Sequence, residues 1–383
     1  MSEPKTFKEG LEDVIAGESS ITDVNGTEGK LIFRGYDIHD LALNSTFEEI
    51  VFLLWNDDLP NRSQLEALGD ELDANRTVPA EAMRLIKQFP AGAPPMDLLR
   101  TAVSLLAFYD PDTGDNSIPA NRRKAVRLTA QMGTLVAALA RLSMDRPIIE
   151  PVSGKSTAWN FLYMLTGDEP DHIAEHALDV ALVLHADHEL NASTFAARVA
   201  VGTLSDMYSG VTAALGALAG PLHGGANVEV MHMLEQIGDP READRFVEDA
   251  LASGRKLMGI GHRVYKTLDP RAVSLRYMSR QLAESSGNRK WYDISEAVEG
   301  AAEKALAAKG KSTLKANVDF FSASVYHVLG IPTEFFTPVF AVSRISGLTA
   351  HILEQLGNNK LIRPRAIYTG PESRKVMPLV HRG

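Results

Sequence analysis

The chain has 383 residues, 45 % of them apolar and 23 % charged, with 29 glycines and 19 prolines. That balance excludes wholesale disorder and any collagen-like or low-complexity chain. There is no cysteine, which excludes disulfides, thiolate metal sites, iron–sulfur clusters and cysteine nucleophiles, and fits a reducing, cytoplasmic setting. The net charge of −10 makes a poor general partner for nucleic acid or anionic membrane. The first ten residues, MSEPKTFKEG, are polar and lack the apolar stretch of a signal peptide. The longest run without Asp, Glu, Lys or Arg, Met207 to Val228, holds Pro221, His223, Asn227 and five glycines, and reads poorly as a membrane span. At roughly 150 residues per domain, the length suggests two or three domains, or a large one with an insertion.

Leu31-Ile32-Phe33 gives the first short strand signal. Ser45 with Glu48, and Ser63 with Glu66, read as capping boxes opening apolar-periodic runs. The first run, Ile50, Val51, Leu53 and Leu54, ends at Leu59-Pro60; the second continues through Leu65, Leu68, Leu72 and Ala74. Pro79 and Pro90 bracket a helix predicted over Ala80–Phe89. Leu98, Ala102, Leu105 and Leu106 form a stripe stopped by Pro111, and Ala125–Met144 carries a long helical periodicity. Ala366-Ile367-Tyr368 is the only other strand signal. No βαβ rhythm, no G-x-G-x-x-G and no fixed-period repeat is present, so the expected class is all-α.

Two histidines are bracketed by glycine: Gly220-Pro221-Leu222-His223-Gly224-Gly225 and Gly259-Ile260-Gly261-His262-Arg263. Glycines this dense break helices and let a ligand approach the backbone. Each histidine is either catalytic or an ordinary loop residue. His172-Ile173-Ala174-Glu175-His176 matches H-x-x-E-H, a zinc-peptidase pattern, but also suits an exposed first turn of a helix. His185-Ala186-Asp187-His188-Glu189 ends an apolar helical run, with His185 and His188 on one face. Asn317-Val318-Asp319-Phe320-Phe321 sets one carboxylate among apolar neighbours, which suits a general base or a helix cap. Arg344 lies in a mostly apolar helix and needs an anionic partner, either a ligand or an internal Glu. Residues 251–290 carry nine basic against two acidic residues, and residues 351–383 six against two. These segments are solvated faces or contacts for a small polyanion.

Taken together these segments resemble the citrate synthase family. The carriers are His185–Glu189, Gly220–Gly225, Gly259-Ile260-Gly261-His262-Arg263-Val264-Tyr265 with Asp269-Pro270-Arg271, Asn317-Val318-Asp319, Ser343-Arg344 and Arg363-Pro364-Arg365, in the family's order. The opening, Gly10–Val14 through Arg34-Gly35-Tyr36-Asp37-Ile38, looks like the family's short form. The resemblance implies a mostly helical homodimer. Residues 226–325 would form a small domain inserted into a large one made of 1–225 and 326–383. It implies condensation of acetyl-CoA with oxaloacetate, then thioester hydrolysis to citrate and CoA, with no permanently bound cofactor and no metal. By the same resemblance Asp319 is the base, His223 holds the thioester oxygen, and His262 polarises the ketone and supplies a proton. His188, Arg271 and Arg344 bind oxaloacetate, with Arg363 entering from the other subunit. Lys256, Leu257, Met258, Gly259 and Ile260 bind CoA, while Lys311 and Lys315 match no phosphate-binding lysine cleanly. The alternatives are 2-methylcitrate synthase, using propionyl-CoA with the same residues, and, more distantly, a zinc hydrolase at His172, Glu175 and His176.

Overall fold

The computed structural model describes residues 8–11, 14–90 and 92–382; Glu12 and Asp13 of the opening motif lie outside them. Among the described residues there are sixteen α-helices and one three-stranded antiparallel sheet, so the chain is all-α as expected. The sheet pairs Thr22–Asn25 with Lys30–Phe33, and Lys30–Phe33 with Tyr36–Asp37. Leu31 and Phe33 alternate inward, which fixes its register against the core. The second strand signal fails. Ile367 and Tyr368 lie in an exposed segment without regular structure and have no ladder partner among the described residues, and isolated β-propensity cannot make a sheet.

Both capping boxes exist, displaced along the chain. Thr46 with Glu49 opens Phe47–Asn56, and Asn61 with Gln64 opens Arg62–Asn75. The Ser45 hydroxyl instead donates to the Leu41 carbonyl at 2.6 Å, closing the preceding helix Ile38–Asn44. Glu66 pairs with Arg62 on the helix surface at 3.1 Å. The helix between the two prolines ends early, at Ile86. The long periodic helix starts at Ile118 rather than Ala125, because Ser117 caps it and Pro119 sits in its first turn.

Phe336–Gly357 is buried along nearly its whole length, the mark of a helix through the middle of a core. It packs on Ile118–Ser143, Ala192–Val201, Met207–Leu218, His172–His185 and Phe47–Asn56. A second group, Ala226–Ile237, Ala243–Ala252, Pro270–Ser286, Lys290–Ala308 and Val318–Val328, packs largely on itself. Pro270–Ser286 also lies against His172–His185, which joins the two groups. Among the described residues, no helix is long and apolar enough to cross a membrane.

Candidate active site

The turn after His172–His185 is pinned from several sides. Asp187 is fully buried and accepts from Thr22 Oγ1 at 2.5 Å and from His351 Nε2 at 3.0 Å. The helix Phe336–Gly357 comes close because residue 347 is glycine; a Cβ there would stand 2.4 Å from the Ala186 carbonyl oxygen. This approach brings in Arg344, whose Nε donates to the His185 carbonyl at 2.8 Å. The Glu partner entertained for Arg344 is absent: its one protein hydrogen bond among the described residues is to that carbonyl. Burial, offset in part by Asp187, pushes its guanidinium down to about 10. His188 Nε2 lies 3.1 Å from the Tyr265 hydroxyl, and burial together with Arg271 holds it well below the usual imidazole range.

The second histidine loop is zipped to the start of Val318–Val328. Gly261 N–H donates to the Lys315 carbonyl at 2.7 Å, and Asn317 N–H to the Gly259 carbonyl at 2.9 Å. Asn317 Nδ2 donates to the Gly261 carbonyl at 2.8 Å. Gly259 has φ +73° and faces Phe320 at a distance no side chain permits. His262 follows. Its Nδ1 accepts from the backbone N–H groups of Val264 at 3.0 Å and Tyr265 at 3.3 Å. Nδ1 is therefore a committed acceptor and the ring proton sits on Nε2. Burial, then Arg271, brings its pKa down to about 4, so the ring is neutral at pH 7.

Asp269 ties this region together. It caps Pro270–Ser286, grips Arg271 through both oxygens at 2.9 and 2.8 Å, and accepts from Val318 N–H at 3.1 Å. The cap of Val318–Val328 is Asn317, not Asp319: Asn317 Oδ1 accepts from Asp319 N–H at 3.0 Å. The Asp319 side chain is thus free of capping, and among the described residues no hydrogen bond reaches its carboxylate. Burial pushes its pKa up to about 6 against the pull of Arg271.

His223 lies in the turn after Met207–Leu218. Its Nε2 is 2.9 Å from Ser193 Oγ and faces the Ser193 backbone N–H at 3.3 Å. That N–H belongs to the first turn of Ala192–Val201, whose positive end disfavours an imidazolium. Nε2 is the acceptor there, which leaves the proton on Nδ1. Burial, then Arg344, brings His223 down to about 4.

A cavity of about 630 Å³ adjoins His262. Lys256 through Gly261 line it, with Arg255, Arg263, Lys309 and Lys311 around them. The basic segment is only partly directed here. Arg276, Arg280 and Arg289 are spent on surface pairs with Glu296, Glu299, Glu284 and Asp293. Lys315 pairs with Glu303 at 2.7 Å. Arg363 does not join the other candidates within this chain. It is exposed on the extended C-terminal segment and lines a separate cavity of about 790 Å³ with Arg198 and Glu354. His172 and His176 are exposed on the first turn of their helix, and Glu175 accepts from Ser156 Oγ at 2.6 Å. Among the described residues no trio of metal-ligating side chains converges there.

Residues 10–365 match the family described as citrate synthase, C-terminal domain. The chain is 49 % identical over 378 residues to citrate synthase 2 of Bacillus subtilis, covering 98 % of this chain and 100 % of the relative. It is 40 % identical over 380 residues to 2-methylcitrate synthase 1 of Corynebacterium glutamicum, covering 98 % of each. The fold superposes with a TM-score of 0.91 on citrate synthase of the thermophilic archaeon Thermoplasma acidophilum, solved as a ternary complex with carboxymethyl coenzyme A and oxaloacetate. That chain is 34 % identical, with 98 % of this chain and 100 % of that one covered. The family match and these relatives define an enzyme of the acyltransferase class. Within that class, the chain belongs to the citrate synthase family.

Proposed function

We propose that the enzyme condenses acetyl-CoA with oxaloacetate and hydrolyses the resulting thioester to citrate and CoA, the entry step of the tricarboxylic acid cycle. The observation that carries this reading is a buried carboxyl, Asp319, raised to about 6, on a segment hydrogen-bonded to the loop that holds the neutral His262. A thioester methyl is weakly acidic. It needs a base that is ionised at neutral pH yet poorly solvated, and donors that stay uncharged while they steady an enolate. Asp319 takes the methyl proton. His223 Nδ1–H donates to the thioester oxygen. The new methylene carbon bonds to the ketone carbon, and His262 Nε2–H donates to the ketone oxygen as it becomes an alkoxide. Protonation of that alkoxide and attack of water on the thioester then release CoA.

The buried arginines supply forks for the two carboxylates of oxaloacetate. Among the described residues the terminal nitrogens of Arg344 make no hydrogen bond to protein, and Arg271 is oriented by Asp269. The lysines and arginines around the 630 Å³ cavity suit the phosphates of CoA. The self-packed helices, Ala226 to Val328, correspond to the small domain expected at 226–325, which is read as closing on the remainder, 1–225 and 326–383, to exclude water. The exposed C-terminal segment, with Leu361, Ile367, Tyr368, Val376 and Val380 turned outward, is read as an arm covering a second copy and delivering Arg363 to its site. The absence of cysteine is in keeping with a reducing, cytoplasmic setting.

Propionyl-CoA is the competing substrate, since the same residues serve both thioesters. One methylene shifts preference by only ~1–3 kcal/mol. Steady-state release of CoA with oxaloacetate, comparing the two thioesters, decides this: the proposal expects the larger kcat/KM for acetyl-CoA, and a propionyl preference overturns it. A pH profile tests the base. Asp319 works only when ionised, so kcat falls about tenfold per pH unit as the pH drops below about 6. The imidazoles stay neutral until about pH 4, where protonation removes the acceptors that position them, His262 Nδ1 and His223 Nε2, and a second, steeper loss is expected. A profile flat from pH 7 down to 5 contradicts the assignment of Asp319.

A further inference from the structure

The β-hairpin formed by Thr22–Asn25 and Lys30–Phe33 touches both halves of the site. At its base, Thr22 donates to the buried Asp187, next to His188. At its tip, the turn lies against the backbone that follows His262. Lys266 N–H donates to the Gly26 carbonyl at 2.8 Å. A Cβ on Gly26 would stand 2.2 Å from the Val264 carbonyl oxygen and 2.8 Å from its carbon. These contacts bear on chemistry because Val264 and Tyr265 supply the two N–H groups that commit His262 Nδ1. Gly26 is not demanded by the turn itself: its φ lies outside the left-handed region, unlike that of Gly29 at +68°. It is small because another backbone passes against it.

We propose that the hairpin is a strut between His188 and His262, whose rings lie 5.5 Å apart. Gly26 is then a positioning residue for His262, setting the Val264–Lys266 backbone and through it the direction of the Nε2–H. The catalytic consequence rests on the reading of His262 as the donor to the ketone oxygen; the geometric one does not.

Gly26→Ala tests it, with Thr27→Ala, an exposed change in the same turn, as the control. Displacing a catalytic group by about 1 Å can cost as much as 10²-fold. Gly26→Ala is expected to lower kcat about tenfold or more and to leave the KM for acetyl-CoA at its parent value. In selectively ¹⁵N-histidine-labelled protein, the His262 ring nitrogens should shift from a single Nε2–H tautomer toward a mixture, with His223 unmoved. Thr27→Ala should match the parent. Thr22→Val, which loosens the base without crowding the tip, should lower kcat by a smaller factor, again with unchanged thioester KM. If Gly26→Ala yields no folded protein, Thr22→Val alone decides, and parent turnover in it overturns the proposal. Parent kcat in folded Gly26→Ala, or equal movement of His262 and His223 resonances, also overturns it. Were the parent inactive toward the thioesters, a selective shift of His262 would uphold the strut while the reaction assignment fell.

Discussion

Asp319→Asn is expected to lower kcat at least a hundredfold, and up to about 10⁴-fold, the range general base catalysis commonly supplies. The amide keeps the size of the carboxyl and the cap made by Asn317, so the loss reports the missing base rather than a broken helix. Substrate binding should change little, because among the described residues the Asp319 carboxylate holds no other side chain by a hydrogen bond. Stability should move the opposite way. Burial raises this carboxyl from its ordinary 3.8 to about 6, so the unfolded chain ionises it more readily than the folded one. Stability is therefore lost as the pH rises through that window and stays lost at pH 7. The uncharged variant should unfold at an equal or higher temperature at pH 7. Turnover near the parent value, or loss of activity together with a clearly lowered Tm, contradicts the assignment.

His262→Ala carries the second-largest expected effect. Removing one fixed donor to a developing oxyanion typically costs about 10²–10³ in turnover. The donor here is fixed unusually well, since two backbone N–H groups occupy Nδ1 and leave Nε2–H no alternative tautomer. Burial beside Arg271 keeps the ring neutral, so the loss should be nearly constant between about pH 6 and 8. The KM for acetyl-CoA should hold, because the cavity proposed for CoA is built mainly from the stretch before the histidine and from Lys309 and Lys311. Steady-state kinetics on the variant checks this. A rise in the acetyl-CoA KM with parent kcat would make His262 a lining residue instead.

The helical class was legible because long periodic runs such as Ala125–Met144 show the apolar face of a helix directly. Caps were legible in kind but not in place. Ser, Thr and Asn compete as neighbours, and which one caps depends on how the preceding segment ends, as Ser45 does on Leu41. The Ala366–Tyr368 signal misled because a strand exists only with a partner, and partners are a property of the fold. At the candidate site, the glycine-bracketed histidines and Asp319 were visible individually. The joining of the His262 loop to the segment before Asp319 was not, since it depends on hydrogen bonds between residues 259–261 and 315–317. Asp269 carries a signal of its own beyond its nearness to Arg271, since an Asp directly before a Pro that opens a helix is a cap signal. Ser193 and Tyr265 had no signal of their own as partners of His223 and His188. The basic run 251–290 overstates the anion site, because surface pairing to Glu296, Glu299 and Asp293, just beyond it, consumes part of its charge.

The most direct measurement is the stoichiometry of free thiol and product when the purified enzyme meets acetyl-CoA with and without oxaloacetate. The account predicts thiol release only when oxaloacetate is present, with one citrate formed per thiol by NMR. Thiol release that ignores oxaloacetate would make the protein a simple thioesterase, and no release from a folded enzyme would contradict the proposed condensation outright.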